Sequence, residues 1–381
     1  MPDERTLGLY VHIPFCKSKC AYCDFYSLSR REDRMDDYCA ALDAHLRRMA
    51  PQAAGVPVDT VYFGGGTPTL LGADRLCGLL DVSREVYRLA PSAEITLEAN
   101  PDSALDAAPL AQLRRAGFNR ISLGMQSADD RELAEIGRIH TAEQVGRAVA
   151  AARSAGFDNL SLDLIYGLPG QTMARWQANL EAAAALKPEH LSCYGLKVEE
   201  GTPLYRRRNE ADLPDDDAQA DMYLYAADRL EQLGYARYEI SNFARPGRES
   251  RHNLRYWQLK EYLGFGPGAH SDFGGARFAW DRDLEGYIRA AATDDLFPAE
   301  RQSVSPEERA EEYLMLGLRT AAGISPEGLA RHGRDFAPLL PFLEQCRREG
   351  YAHRSANGSW HLTARGALLS NPIIVSLTEL L

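Results

Sequence analysis

Over the first two hundred residues, short apolar runs rich in β-branched side chains alternate with longer segments whose apolar positions recur every three or four residues. Leu7–Ile13 reads as a short buried strand that ends at Pro14. Residues 34–49 then carry Met35, Tyr38, Leu42, Leu46 and Met49 at helical spacing, with Pro51 as a stop. The alternation continues as strand 58–63, helix 73–87, strand 94–98, helix 105–116, strand 120–125, helix 142–155, strand 158–165, helix 173–186 and strand 189–196. Such alternation builds a parallel sheet through right-handed crossovers. About six units predict an α/β fold whose sheet curves into a partial (β/α)6 barrel, with its chemistry at the carboxyl ends of the strands.

Beyond residue 200 the pattern weakens. Residues 202–218, rich in Arg, Asp and Pro, read as a solvated surface loop before a helix at 218–233, and 238–243 is strand-like. The glycines of Gly264-Phe265-Gly266-Pro267-Gly268 suggest tight turns around a ligand or cluster. From Ser305 helices are expected near 306–320, 325–332 and 337–349. Two strands, 351–355 and 360–363, follow around an Asn357-Gly358 turn, the outline of a winged helix. The expected organisation is a core at 1–200, a barrel extension at 201–300 and a smaller winged-helix-like domain at 301–381.

Composition narrows the class without changing this outline. With 381 residues, 45% hydrophobic and 25% charged, the chain is expected to be a soluble globular protein of two domains. No run approaches the ~20 apolar residues of a membrane span, and the first five residues lack the apolar stretch of a signal peptide, so a cytoplasmic location is expected. Cys39, Cys77, Cys193 and Cys346 are scattered singly, as reduced thiols are. The net charge of −11 argues against a nucleic-acid partner. Basic and acidic residues balance over 301–381, so a protein contact or a lid is expected there rather than DNA binding.

The chemistry concentrates in residues 10–25, where Cys16, Cys20 and Cys23 have the spacing C-x3-C-x2-C. One short loop at that spacing can wrap three thiolates around an inorganic centre. Ordinary clusters take four protein thiolates; three with no neighbouring fourth suggest a cluster with one iron open to a ligand. The alternatives are a zinc ion with His12 or Asp24 as fourth ligand, and free thiols.

Polar residues stand where the other strands end: Gly64-Gly65-Gly66-Thr67-Pro68, Glu98-Ala99-Asn100-Pro101, Gly124-Met125-Gln126-Ser127 and Asp163 to Pro169. The glycines let backbone approach a ligand, and Thr67 can offer its hydroxyl and amide. Singly, such residues are ordinary strand-end caps. With Tyr22 before the third cysteine, the loop resembles the signature of the radical S-adenosylmethionine (SAM) superfamily. There, the methionine amino and carboxylate groups of SAM chelate the open iron of a [4Fe–4S] cluster. The series Tyr-Val-His-Ile-Pro-Phe-Cys, Gly-Gly-Gly-Thr-Pro, Glu-Ala-Asn-Pro, Leu-Gly-Met-Gln-Ser, Gly-Arg-Ile-His and Asp-Leu-Ile-Tyr-Gly-Leu-Pro-Gly-Gln-Thr is similar to the oxygen-independent coproporphyrinogen oxidase group, and within it most similar to the HemW-type haem chaperones. The resemblance implies that Cys16, Cys20 and Cys23 hold the cluster and that Tyr10, Tyr22, Gly65, Gly66, Thr67, Glu98, Gln126, Arg138 and Asp163 surround the cofactors.

His252-Asn253-Leu254-Arg255-Tyr256-Trp257 resembles the haem-associated motif of the same proteins, which implies His252 as an iron ligand beside stacking aromatics. Read without the family, His252 is a hydrogen-bonded core residue among aromatics. The implied function is haem binding and delivery to an acceptor protein of unknown identity, any membrane association being peripheral and through that acceptor. The competing reading is an oxidase that decarboxylates coproporphyrinogen III. Against it stand Phe25, where the oxidase group keeps a further cysteine, and a first strand that begins about residue 7, where the oxidase carries a longer leading segment. A third reading, from a binding-only class, is a zinc-stabilised regulatory protein.

Overall fold

In the computed structural model, which describes residues 5–293, 295–298 and 300–381, six βα units follow one another: β1 (Leu7–Ile13), α1 (Met35–Met49), β2 (Val58–Gly65), α2 (Ala73–Val86), β3 (Leu89–Ala99), α3 (Ala107–Ala116), β4 (Arg120–Gln126), α4 (Asp130–Glu135), α5 (Ala142–Ser154), β5 (Leu160–Tyr166), α6 (Met173–Ala185) and β6 (His190–Gly195). Local chemistry sets the helix starts. Asp106 accepts from the Ala108 N–H, and Thr141 with Gln144 forms a reciprocal capping box, each cap contributing about 1 kcal/mol.

After β6 come α7 (Pro203–Arg206), α8 (Asp216–Gln232), β7 (Ala236–Arg237), β8 (Asn242–Ala244), α9 (Arg251–Trp257), β9 (Tyr262–Phe265), β10 (His270–Phe273), β11 (Ala276–Ala279), α10 (Leu284–Ala292) and β12 (Glu300–Ser303). All twelve strands join one sheet in the order β12-β11-β10-β9-β1-β2-β3-β4-β5-β6-β8-β7. The six expected strands are parallel in sequence order, and β9 adds a parallel strand beside β1. β8 joins β6 antiparallel, and β10 to β12 extend the other edge antiparallel. The two edge strands do not pair with each other, so the barrel is open.

Two expectations are corrected here. The glycine-rich stretch at 264–268 turns around the protein itself: a Cβ on Gly264 would lie 2.1 Å from the His270 carbonyl oxygen, and one on Gly266, at φ +98°, 2.5 Å from the Tyr38 hydroxyl. It builds β9 and its return rather than a ligand cradle. The stretch 202–218 is more than a solvated loop. Thr202 caps the short helix α7, whose Leu204 is fully buried, and α8 starts at Asp216 under an Asp215 cap.

The strands alternate in character. Leu97, Ile121, Leu123, Leu162 and Leu191 are fully buried in the main core, which runs from Leu7 to Leu296. The residues between them on the opposite face, including Glu98, Ser122, Asp163 and Ser192, are polar and face a cavity. A second core, from Ala310 to Leu377, belongs to the C-terminal unit. It contains α11 (Pro306–Gly317), α12 (Pro326–Ala330), α13 (Leu340–Arg348), the hairpin β13 (Ala352–Arg354) with β14 (Trp360–Leu362), α14 (Ala364–Leu368) and α15 (Ser370–Thr378). The three helices and the wing hairpin match the sequence outline; α14 and α15 lie beyond it. Among the described residues no helix is long and apolar enough to cross a membrane.

Candidate cofactor site

The cysteine loop leaves β1 at Pro14 and closes on itself, Phe15–Cys16 pairing in parallel with Leu28–Ser29. On one side it is tied to the triple-glycine turn: the Gly66 N–H donates to the Ile13 carbonyl at 2.8 Å and the Thr67 N–H to the Phe15 carbonyl at 2.7 Å. A Cβ on Gly66 would lie 2.6 Å from the Phe15 oxygen, and one on Gly65, at φ +111°, 2.4 Å from the His12 ring. The close approach made possible by these glycines is therefore to the cysteine loop, which also takes the Thr67 amide expected to meet a ligand. On the other side the Ala21 N–H donates to the Ile136 carbonyl at 2.9 Å and the Leu204 N–H to the Ala21 carbonyl at 2.8 Å.

Held between these supports, Cys16, Cys20 and Cys23 are free thiols of intermediate exposure. Thr67 Oγ1 lies 3.6 Å from Cys16 Sγ and Arg138 Nη1 3.5 Å from Cys20 Sγ. Burial raises the Cys16 and Cys23 thiols above their ordinary range. Among the described residues no three His, Cys, Asp or Glu side chains converge on a single-ion site. His12 is engaged elsewhere: Nε2 donates to the Tyr26 carbonyl at 2.8 Å, leaving Nδ1 to accept from the Tyr10 hydroxyl at 3.0 Å. Burial lowers its pKa to about 4. The zinc reading thereby loses one of its two candidate fourth ligands.

The cysteines form one rim of a cavity of about 440 Å³ at the carboxyl ends of the strands. Tyr22, Gly65, Gly66, Thr67, Glu98, Gln126, Arg138 and Asp163 all line it. Glu98 accepts from the Tyr62 hydroxyl at 2.6 Å and the Gly65 N–H at 3.0 Å; burial nevertheless raises its pKa to about 7. Asp163 accepts from Ser192 at 2.7 Å and Ser122 at 3.0 Å, and burial still holds its pKa above the usual carboxylate value. Gln126 sits at φ +62°, a left-handed conformation uncommon for a side chain of its size. Arg138 lies past the end of α4 and returns to the site by donating to Asn100 Oδ1 at 2.8 Å and the Gly124 carbonyl at 2.7 Å.

Tyr10 and His252 stand apart from the cavity wall. Tyr10 has its ring centroid 6.2 Å from that of Tyr62 and 6.4 Å from that of His252. His252 is 1% exposed, with Nδ1 bonded to the Thr60 hydroxyl at 2.9 Å and Nε2 to the Tyr256 hydroxyl at 2.8 Å. Burial lowers its pKa to about 3. Both ring nitrogens are spent, so in this arrangement His252 has none to give to iron. Here it serves as a hydrogen-bonding residue inside the barrel. The neighbouring Asn253 does reach the cavity.

Sequence reasoning missed Tyr62, Arg120, Ser122 and Ser192, which also line the cavity. The signal that could have found them is the two-residue period of Arg120-Ile121-Ser122-Leu123 and Leu160-Ser161-Leu162-Asp163. It marks a polar face where an ordinary barrel interior is apolar.

Residues 10–183 match the radical SAM superfamily and residues 304–369 the HemN C-terminal domain. The chain is 38% identical over 371 residues to the heme chaperone HemW of Bacillus subtilis, covering 96% of this chain and 97% of that protein. It is 36% identical over 375 residues to the heme chaperone HemW of Escherichia coli, covering 97% of each. A solved structure, coproporphyrinogen III oxidase (HemN) from Escherichia coli, superposes with a TM-score of 0.84 at 26% identity, over 99% of this chain and 91% of that one.

Proposed function

Since the chain belongs to the radical SAM superfamily and, within it, to the family of the heme chaperone HemW, we propose that it binds haem and passes it to an acceptor protein, holding a [4Fe–4S] cluster and SAM beside it. The observation that carries this reading is the three-cysteine loop on the rim of a cavity lined by Glu98, Gln126, Arg138 and Asp163, in a chain similar to haem chaperones over nearly its full length. The cavity's donor set fits the cofactors. Three half-buried thiols with no fourth cysteine beside them suit a cluster with one open iron. Glu98 and Asp163, partly buried carboxylates facing the cavity, suit the positive charges of SAM.

In this reading Cys16, Cys20 and Cys23 hold the cluster, with Arg138 and Thr67 donating toward the sulfurs of Cys20 and Cys16. Gln126 and Asp163 orient SAM, and Glu98, fixed by Tyr62 and Gly65, screens its charge. When bound, the cluster supplies a reducing electron and an open iron for chelation. Haem delivery needs no chemical step from the side chains: they bind, orient and exclude water.

The alternative favoured by a specific observation is the oxidase reading, because the HemN structure superposes over almost the whole chain. Phe25 stands against it. It is 69% exposed at the cavity mouth, where the oxidase group keeps a cysteine. Anaerobic reconstitution decides between the readings. Iron and acid-labile sulfide should bind, each of Cys16→Ala, Cys20→Ala and Cys23→Ala should abolish the visible cluster absorption, haem should titrate, and coproporphyrinogen III should not be converted. Multiple turnovers of coproporphyrinogen would establish the oxidase instead, and zinc without sulfide would establish the metal-stabilised regulator.

A further inference from the structure

Arg120 is the first residue of β4, pairing across from Thr96 of β3. Its side chain thus sits toward the amino ends of the strands, on the floor of the cavity whose rim carries the cysteines. It is 1% exposed, and its Nε has no hydrogen-bond partner. Among the described residues Arg120 makes no side-chain hydrogen bond or ion pair; its nearest acidic influences, Glu94 and Asp163, act through space. Each of those carboxylates is committed elsewhere. Glu94 accepts from the backbone N–H groups of Arg251 and His252, and Asp163 from Ser122 and Ser192.

A buried guanidinium is ordinarily paired, and one left unpaired is costly. Arg255, the other fully buried arginine of the barrel, shows the contrast: it donates to the carbonyls of Thr6 and Glu261 and pairs with Asp59. Arg120 instead directs a planar fork of donors, the geometry that matches a carboxylate, into a cavity large enough for a ligand. No carboxylate of that cavity hydrogen-bonds Arg120, so its complement is left to the ligand.

We infer that Arg120 is a carboxylate-binding residue on the cavity floor and that its partner is a propionate of haem, entering edge-on past Tyr62 and Ser122. This rests on the reading that the protein binds haem. The other carboxylate that the cavity is proposed to receive is that of SAM, so the test separates the two sources.

The test compares haem with haem dimethyl ester, titrated into the full-length reconstituted protein and into Arg120→Lys, with SAM affinity and melting temperature measured on both. Wild type should prefer the free acid at least about tenfold, the value of one charge-assisted pair. Arg120→Lys keeps a positive charge but loses the fork; it should erase most of that preference and leave SAM affinity unchanged. A wild-type protein indifferent to esterification overturns the inference whatever the variant does. So does a preference that survives in Arg120→Lys, which would leave Arg120 a mere counter-charge to Glu94 and Asp163. A loss confined to SAM affinity assigns the fork to SAM and overturns the haem assignment. A wild type that binds neither haem nor its ester overturns the chaperone reading itself, which distinguishes that failure from the others.

Discussion

Glu98 is the residue whose ionisation the fold resists most usefully. Its carboxyl titrates near 4.5 in the unfolded chain and at about 7 in the folded one, with burial the main cause. A carboxyl with a raised folded pKa contributes stability below its unfolded pKa and loses it as pH rises through the folded value. Between pH 4.5 and 7, Glu98→Gln should therefore gain on wild type by up to roughly 2–3 kcal/mol, with no further change above that window. The buried histidines of lowered pKa have the opposite sign, but they are common to both proteins and cancel in the difference. Urea denaturation of the ligand-free proteins at pH 5, 6, 7 and 8 measures it; a stability difference that does not move with pH rejects the account. At this scale the sequence was legible only where chemistry is local. The three cysteines announced themselves by spacing, whereas His252 and Arg120 did not, because a histidine beside aromatics and an arginine opening a strand look the same in sequence whether paired or not. Their roles depend on Thr60, Glu94 and Asp163, which only the sheet brings near.

Among the elements, the six βα units were readable because each carries its own period, while β9 was not, since four residues with a central glycine look like a turn. Helix α7 was hidden by the arginines around it; its signal was Thr202-Pro203, an N-cap followed by proline at the first helical position. Both missed elements matter to the site, β9 by flanking β1 and α7 by holding Ala21. The glycine turn after β2 is the tightest of these supports. A methyl group on Gly66 would meet two backbone oxygens, those of Phe15 at 2.6 Å and Ile13 at 2.8 Å, neither of which can swing aside as a side chain could. Gly66→Ala should therefore displace the cysteine loop from β2, costing about 1–3 kcal/mol and lowering the iron and sulfide retained after reconstitution by more than half. Gly78→Ala, on α2 with nothing within 4 Å of the new methyl group, serves as the control and should be neutral or slightly stabilising. Equal cluster content in the two variants would show that the turn does not position the loop.

For the whole molecule, the question left by two separate cores is what makes them behave as one. Backbone contacts join them, the Ala321 N–H donating to the Tyr238 carbonyl at 2.9 Å, as does Arg237, whose Nη2 donates to the Leu362 carbonyl at 2.8 Å. The strongest electrostatic link is between the edge hairpin and α11. Arg309 grips Asp272 with both Nη atoms, at 2.5 and 2.6 Å, while Arg277 pairs with Glu312 and also reaches Asp272 at 3.3 Å. Asp272 and Glu312 are largely buried, with side chains 9% and 13% exposed, so these pairs are sheltered from salt more than surface bridges are. Asp272→Asn would leave two arginines competing for Glu312 and cost about 1–3 kcal/mol, below the full penalty for a buried pair because Arg277 is partly solvated. Since the loss falls on the junction rather than in either core, it should uncouple them: the single thermal transition expected of wild type should split, with the C-terminal unit melting first. Hydrogen exchange reads this directly, because amides in 310–377 should lose protection in the variant at temperatures where those in β1 to β6 remain protected. A variant that still unfolds in one step, with both cores opening together, would mean that the backbone contacts alone suffice to couple them and that the Asp272 network only adds stability.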